Sequence, residues 1–274
     1  MYRRRKIIGY LVALLAAVAQ VPAAAAPGDA VPDTRPVVYR GKGFDTCQAP
    51  PLTTLSAWGE ESPYGAVGVY YAGRARACPN QHYLSHRWLT GARDLGWRVL
   101  PVYVGSQSPC ARANSKRYYP IGDYPEEQGV DEGRDAVDTA ADLGIAPGSA
   151  LYLDMEAYDY KDEDCGGATL DFIRAWSATV DRQGYLPGLY SSAESGVRHM
   201  VLARRDGLDD LPEVLWFARW KVPASTDHER VLPSGAWQPH RRIHQYAGNV
   251  SETYGGRKLT IDRNAIDAPV AIIR

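Results

Sequence analysis

The chain has 274 residues, of which 45% are hydrophobic and 23% are charged, so it is long and apolar enough to form a sizeable core. That balance excludes a globally disordered chain. The formal net charge is -1 at pH 7. With no extended run of Lys or Arg outside the N-terminus, neither nucleic acid nor an anionic membrane surface is expected as a partner.

The first 26 residues have the pattern of an export signal. Basic residues at positions 3–6 precede an apolar run over 7–21 and a stretch of small residues that ends at Ala26. This order predicts cleavage on maturation, and the apolar run is too short for a stable membrane span. Two adjacent arginines also resemble a twin-arginine signal. We therefore expect a secreted or envelope-associated protein, exported by the Tat or the Sec route, with an uncleaved anchor as the alternative.

Four cysteines lie in the part of the chain that would remain after cleavage: Cys47, Cys78, Cys110 and Cys165. An even number in an exported chain predicts two disulfides, and the spacing leaves three pairings open. Free buried thiols are the alternative. Because the sequence has no C-x-x-C motif, we expect no zinc site, and nothing else in the chain indicates a metal or a cofactor.

After a linker over residues 27–39, a single domain is predicted over 40–274. Short segments rich in Val, Ile, Tyr or Trp predict strands at 43–47, 66–71, 98–104, 150–155, 186–190, 214–220, 241–246 and 259–261. Helical patterns lie between them, for example over 82–95, 126–143 and 168–183, each followed by a glycine that would end the helix. The alternation predicts an α/β fold, a (β/α)8 TIM-like barrel. Prolines between 222 and 239 predict a short or missing sixth helix and a barrel that is degenerate in its sixth to eighth units. An open doubly wound sheet is the alternative.

Four acidic residues lie at or near the ends of three predicted strands, where barrels of this class carry their catalytic groups. Asp45 closes the first strand, Asp154 and Glu156 close the fourth, and Asp262 closes the eighth. Because side chains alternate along a strand, Asp154 and Glu156 should face the barrel axis with Cα atoms about 7 Å apart.

Two carboxyl groups that close together tend to share a proton, which separates their pKa values. A glycosidase needs such a pair, one neutral acid to protonate the leaving oxygen and one anion to stabilise the developing cation. The alternative is a structural pair that binds loop amides or an arginine.

Aromatic and polar residues near the strand ends suit the binding of a sugar. The chain has 18 Tyr and 7 Trp but only 3 Phe, and Tyr and Trp combine an apolar face with a polar edge. Arg219 could pair with the acids, and the amide of Gln245 could bond a sugar hydroxyl or hold a catalytic acid. The candidate substrate-binding residues are Tyr103, Tyr152, Tyr190, Arg219, Trp220, Gln245 and Tyr246.

The ordered series of motifs closely resembles the glycoside-hydrolase-like domain of unknown function 1906, and more distantly glycoside hydrolase family 25, the muramidases. The resemblance covers about residues 43 to 267 and is carried by Gly43-Phe44-Asp45-Thr46-Cys47, Leu151-Tyr152-Leu153-Asp154-Met155-Glu156, Gly184-Tyr185, Ala218-Arg219-Trp220, His244-Gln245-Tyr246 and Asp262-x-Asn264. The closer family is found largely in exported actinobacterial proteins and is linked to cell-wall material. The resemblance implies that Glu156 is the general acid. Asp154 would orient a 2-acetamido group or stabilise the cation, and Asp45 and Asp262 would shape the subsite.

The first hypothesis is therefore a secreted glycosidase that acts on peptidoglycan or a related envelope polysaccharide as a monomer. A carbohydrate-binding barrel without turnover is the second, and a structural envelope protein is the third. His244 stands where the muramidases have Trp, and the loops that carry the cysteines are foreign to them.

Overall fold

Strands and helices alternate through the computed structural model, which describes residues 36–274 apart from the side chains of residues 115 and 116. The predicted export signal and residues 27–35 of the predicted linker lie outside the described residues. The elements are β1 (Val37–Asp45), α1 (Leu52–Glu61), β2 (Tyr64–Ala72), α2 (His86–Asp94), β3 (Arg98–Tyr103), α3 (Pro125–Asp142), β4 (Ala150–Asp154), α4 (Glu163–Arg182), β5 (Leu186–Ser192), α5 (Arg198–Arg205), β6 (Val214–Ala218), β7 (Arg242–Tyr254) and β8 (Arg257–Val270). Because β1 begins at Val37, the last three residues of the expected linker belong to the first strand.

The eight strands close into a barrel in chain order, which confirms the predicted fold. Neighbouring strands from β1 to β7 are parallel, whereas β8 runs antiparallel to both β7 and β1. A complete (β/α)8 barrel has eight parallel strands, and β8 departs from that pattern. The reason is the connection: Gly255 and Gly256 alone join β7 to β8, and a parallel crossover needs a dozen or more residues. Both glycines have positive φ (52° and 67°), as a type I′ hairpin turn requires.

The degeneracy predicted for the sixth to eighth units is confirmed. Within residues 36–274, no helix separates β6 from β7 or β7 from β8. The β7–β8 hairpin instead packs on α1, where the Trp58 Nε1 atom donates to the Arg257 carbonyl oxygen over 2.8 Å. The Tyr254 ring meets the Trp58 ring edge-on, with centroids 5.0 Å apart.

Helices α2, α3 and α4 end at a glycine, as the sequence predicts. Gly96, Gly144 and Gly184 follow α2, α3 and α4 with φ between +79° and +89°, a conformation that costs glycine little. Helix α4 begins at Glu163, earlier than predicted, because the Asp162 carboxylate accepts from the Cys165 amide (2.9 Å) and caps the helix.

Apolar side chains fill two layers, one inside the barrel and one between the barrel and the helices. On β4, Leu151 and Leu153 pack in the outer layer, whereas Tyr152 packs in the inner one. This is the alternation that the sequence predicts. No helix in the described part of the chain is both long and apolar enough to cross a membrane.

All four cysteines are paired, Cys47 with Cys78 and Cys110 with Cys165. The first disulfide joins the loop after β1 to the loop after β2, and the second joins the loop after β3 to the first turn of α4. Two disulfides in one domain fit an exported protein.

Candidate functional site

Acidic and amide side chains converge at the end of the barrel where β1 to β7 finish. Asp45 ends β1 and Asp154 ends β4, as predicted. Asp262 does not end its strand, because β8 runs in the opposite direction and Asp262 lies in its middle. It still reaches this end of the barrel, since the antiparallel register places it opposite Asp45.

The side-chain amide of Gln245 connects the members of this group. Its Nε2 atom lies 3.2 Å from Asp45 Oδ2, 3.2 Å from Asp262 Oδ2 and 2.5 Å from the Tyr190 hydroxyl. Its Oε1 atom accepts from the Trp220 indole over 2.9 Å. The predicted role of Gln245 in holding a candidate acid therefore has the matching geometry.

The Asp45 carboxylate is buried and accepts two further hydrogen bonds, from the Tyr70 hydroxyl and from Asn264 Nδ2, each 2.8 Å long. Burial and the neighbouring Asp262 raise its pKa to about 7, against the opposing effect of its three donors. Gly68 makes the close packing possible, because a Cβ there would lie 2.7 Å from the Cβ of Asp45.

The pKa of Asp262 is also shifted. Burial raises its pKa, while the Asn249 amide (2.6 Å) and Gln245 oppose the shift by donating to its carboxylate. Asp45 and Asp262 thus form a coupled pair that takes up a proton more readily than two solvated aspartates would.

Gln107 fixes the backbone that carries Asp154 and Glu156. Its buried side chain donates from Nε2 to the Asp154 carbonyl oxygen (2.8 Å) and accepts at Oε1 from the Glu156 amide (2.9 Å). The backbone of Asp154, at the end of β4, and of Glu156, just beyond it, is therefore held by a residue from the loop after β3. The sequence does not indicate this residue, because a loop glutamine carries no pattern that predicts such contacts.

A cleft with two lobes runs across this end of the barrel. The larger lobe has a volume of about 660 Å³ and the smaller about 270 Å³. The wall that they share is formed by Tyr70, Asp154, Glu156 and Asp262. An extended ligand could therefore lie over the acids with its two ends in different lobes.

The two lobes have different linings. The larger is bounded by the Cys47–Cys78 disulfide and by the half-exposed Tyr83, a loop residue that no sequence pattern marks as part of the site. The smaller is lined by Tyr190, Trp220 and Gln245, three of the predicted substrate-binding residues. The ring of Tyr190 stacks on the buried Trp216, with centroids 4.8 Å apart.

Two predicted substrate-binding residues are part of the core instead. Tyr152 faces the barrel interior as expected but lies below the cleft, where its hydroxyl donates to the Pro269 carbonyl oxygen (2.7 Å). Tyr103 faces the helices, where it packs on Trp176 and donates to Asp135 (2.8 Å).

Two other predictions are also corrected. Arg219 pairs with Glu194 and Glu229 rather than with the acids of the cleft. Tyr246 lies on the opposite face of β7 from Gln245. Burial raises its pKa, which the charge of Arg263 lowers and that of Glu252 raises further.

Among the described residues, no group of three or more His, Cys, Asp or Glu side chains is arranged to hold a metal ion. The side chains that meet at the cleft include carboxylates, amides and aromatic rings.

Several solved structures share the fold at low sequence identity. An uncharacterized protein of B. stearothermophilus is 22% identical over 82% of this chain and 95% of its own, with a TM-score of 0.55. The Mycobacterium tuberculosis Tat-secreted protein Rv2525c, solved with L-tartrate, is 16% identical over 83% and 96%, with a TM-score of 0.56. A muramidase from Acremonium alcalophilum is 16% identical over 84% and 94%, with a TM-score of 0.51.

No protein of curated function matches the chain by sequence. A family model does match, over residues 56–266, and is described as the Rv2525c-like, glycoside hydrolase-like domain. This match spans most of the barrel and agrees with the resemblance drawn from the sequence motifs. The chain therefore belongs to the Rv2525c-like family of glycoside hydrolase-like domains.

Proposed function

We propose that this protein is an exported glycosidase that hydrolyses peptidoglycan or a related polysaccharide of the cell envelope. The observation that carries the proposal is the position of Asp154 and Glu156 on the wall shared by the two lobes of the cleft. A sugar chain that occupied both lobes would place one of its glycosidic bonds over these carboxylates.

In this proposal Glu156 is the general acid. It lies at the end of the two-carboxylate segment and is less buried than Asp154, so it can reach the oxygen of the leaving sugar. Asp154 stabilises the positive charge that develops on the other sugar or orients its 2-acetamido group. Gln107 keeps both in place through the backbone.

Asp45 and Asp262 act behind these two residues. Their carboxyl groups shape the floor of the cleft beneath the position of the sugar ring, and the Gln245 amide holds both of them. Trp220 and Tyr190 supply aromatic surface beside the acids, where a sugar ring can stack.

Export is supported by both disulfides and by the pattern of the first 26 residues. Two of the similar structures fit the proposal, since one is a muramidase and another is a Tat-secreted protein. We propose export by the Tat or the Sec route with removal of residues 1–26.

The test is the release of reducing ends from purified cell walls by the mature chain. We expect Glu156→Gln to lower the rate by about a thousandfold or more, because an amide cannot donate the proton that the leaving oxygen needs. Glu127→Gln, at an exposed position on α3, is the matched control and should keep the wild-type rate.

A rate that Glu156→Gln leaves unchanged would contradict the assignment of the general acid. If the wild-type chain binds the glycan but leaves it intact after prolonged incubation, the barrel is a carbohydrate-binding protein rather than a glycosidase.

A further inference from the structure

A further cavity of about 500 Å³ adjoins the smaller lobe of the cleft on the far side of Trp220. Its walls come from the long loop between β6 and β7, including Arg219, Trp220, Glu229 and Arg230, and from His244 of β7. Trp220 lines both spaces, so we name this space the Trp220–Arg230 cavity. None of its charged residues takes part in the proposed chemistry.

The Trp220 ring is a fixed surface between the two spaces. Its indole nitrogen is bonded to Gln245, and its ring packs on Gly248, where a Cβ would lie 2.1 Å from the ring carbon Cζ2. Even so, 46% of the residue is exposed. An exposed indole that is held from behind offers a preorganised face to a sugar ring.

The charges at this cavity do not balance. Glu194 accepts hydrogen bonds from Arg198, Arg219 and Arg230, and the buried Glu229 accepts a bidentate pair from Arg219 at 2.7 Å each. Three guanidinium groups thus meet two carboxylates. Arg198 and Arg230, by donating to Glu194, lower its pKa to about 2, so it stays ionised and one positive charge is in excess.

The excess charge is exposed at Arg230. The side chain of Arg219 is only 16% exposed, whereas that of Arg230 is 74% exposed. His244, in the same wall, adds no charge. Its Nδ1 atom accepts from the Ser225 amide (3.2 Å), its Nε2 atom faces the Arg219 carbonyl oxygen (2.8 Å), and burial lowers its pKa.

We infer that the Trp220–Arg230 cavity is a subsite for a carboxylate-bearing substituent of the glycan, with its sugar ring against Trp220 and its carboxylate on the Arg230 guanidinium. The inference rests on the proposed function, which identifies the ligand that enters the cleft as a polysaccharide. A guanidinium matches a carboxylate in both charge and geometry. A neutral sugar has no negative charge for the guanidinium to bind. The preferred substrate is therefore an acidic polysaccharide.

The test compares two probes: soluble glycan strands of peptidoglycan with their carboxylates intact, and the same strands after reduction of the carboxylates to alcohols. Binding is measured with the Glu156→Gln chain, so that the glycan is not consumed. We expect the carboxylated strands to bind about fivefold more tightly at low salt, as for a partly exposed charge pair. The preference should diminish as salt is added.

In the Glu156→Gln chain, the further substitution Arg230→Gln should abolish the preference for carboxylated strands, and Arg230→Lys should keep part of it. Arg134→Gln, which removes an exposed arginine on α3, should leave it unchanged. Equal binding of the two probes, or a preference that survives Arg230→Gln, would overturn the inference. These outcomes are independent of hydrolysis, because a wild-type chain that releases no reducing ends would refute the glycosidase but could still prefer carboxylated strands.

Discussion

The two halves of the barrel contribute differently to the cleft. From β1 to β5 every strand is followed by a helix, and this regular half supplies Asp45, Asp154 and Glu156. From β6 to β8 no helix is present among the described residues, and this irregular half supplies Gln245, Asp262 and Trp220. The regular half thus provides the candidate reacting groups, whereas the irregular half provides the groups that hold, perturb and extend them. Where a helix is missing, the connecting loop or hairpin is free to form part of the site.

We expect the largest effect on the free energy of unfolding at the contact between the two halves of the barrel. Asp45 belongs to the regular half, and its raised pKa depends on burial and on Asp262 from the irregular half. Between pH about 4 and about 7 the folded chain keeps a proton that the unfolded chain has lost, so the free energy of unfolding should fall as pH rises through this interval. The measurement is denaturant unfolding as a function of pH.

Asp45→Asn should flatten this decline by up to about 1.4 kcal/mol per pH unit, because the variant has no carboxyl group to ionise there. Tyr70→Phe, which removes a donor to the same carboxylate, should extend the decline to higher pH. Curves for the two variants that run parallel to the wild-type curve would show that Asp45 does not titrate in this range.

Within the regular half, Gln107→Ala tests whether the backbone after β4 must be held. We expect kcat to fall about a hundredfold with KM changed much less, since displacement of a catalytic group by about 1 Å has a cost of that size. The free energy of unfolding should fall by about 2 kcal/mol, because the Asp154 carbonyl and the Glu156 amide lose their hydrogen-bond partner. A folded variant with the wild-type kcat would remove Gln107 from the site.

In the irregular half, the β7–β8 turn should be sensitive to substitution of its two glycines. Gly255→Ala and Gly256→Ala both place an alanine at positive φ, which costs about 1 kcal/mol. Only at Gly255 would the new Cβ also lie 2.6 Å from Ala57 on α1, which should raise the loss of stability to about 2–3 kcal/mol. Equal losses, measured by thermal unfolding, would show that the contact between hairpin and α1 is loose.

The parts of the molecule that the sequence predicts are those governed by local rules. Alternation along β4 correctly places Asp154 and Glu156 towards the cleft, and the glycines after α2, α3 and α4 end those helices. Nearness to a strand end gives the wrong environment for Tyr103 and Tyr246, because both side chains lie on the outer face of the barrel. The direction of β8 had a readable signal in Gly255-Gly256 between two strand-like segments.

Other contacts have no local signal. Arg219 pairs with Glu194 from the connection between β5 and β6 and with Glu229, which lies 10 residues further along the loop after β6, and no sequence pattern predicts either contact. Tyr152 is a different case. Alternation correctly predicts that its side chain faces the barrel interior, but it does not predict how far below the cleft the side chain lies.

The antiparallel pairing of β1 with β8 has a consequence for the order of folding. The Asp45–Asn264 hydrogen bond spans 219 residues of sequence, so it can form only after nearly all of the chain is available. Contacts of such high sequence separation carry a large loop-closure cost and are expected late. Docking of the hairpin would then both close the barrel and complete the carboxylate pair, so a chain caught before that step would have neither a continuous sheet nor a working cleft. Activity would therefore report on the last step of folding.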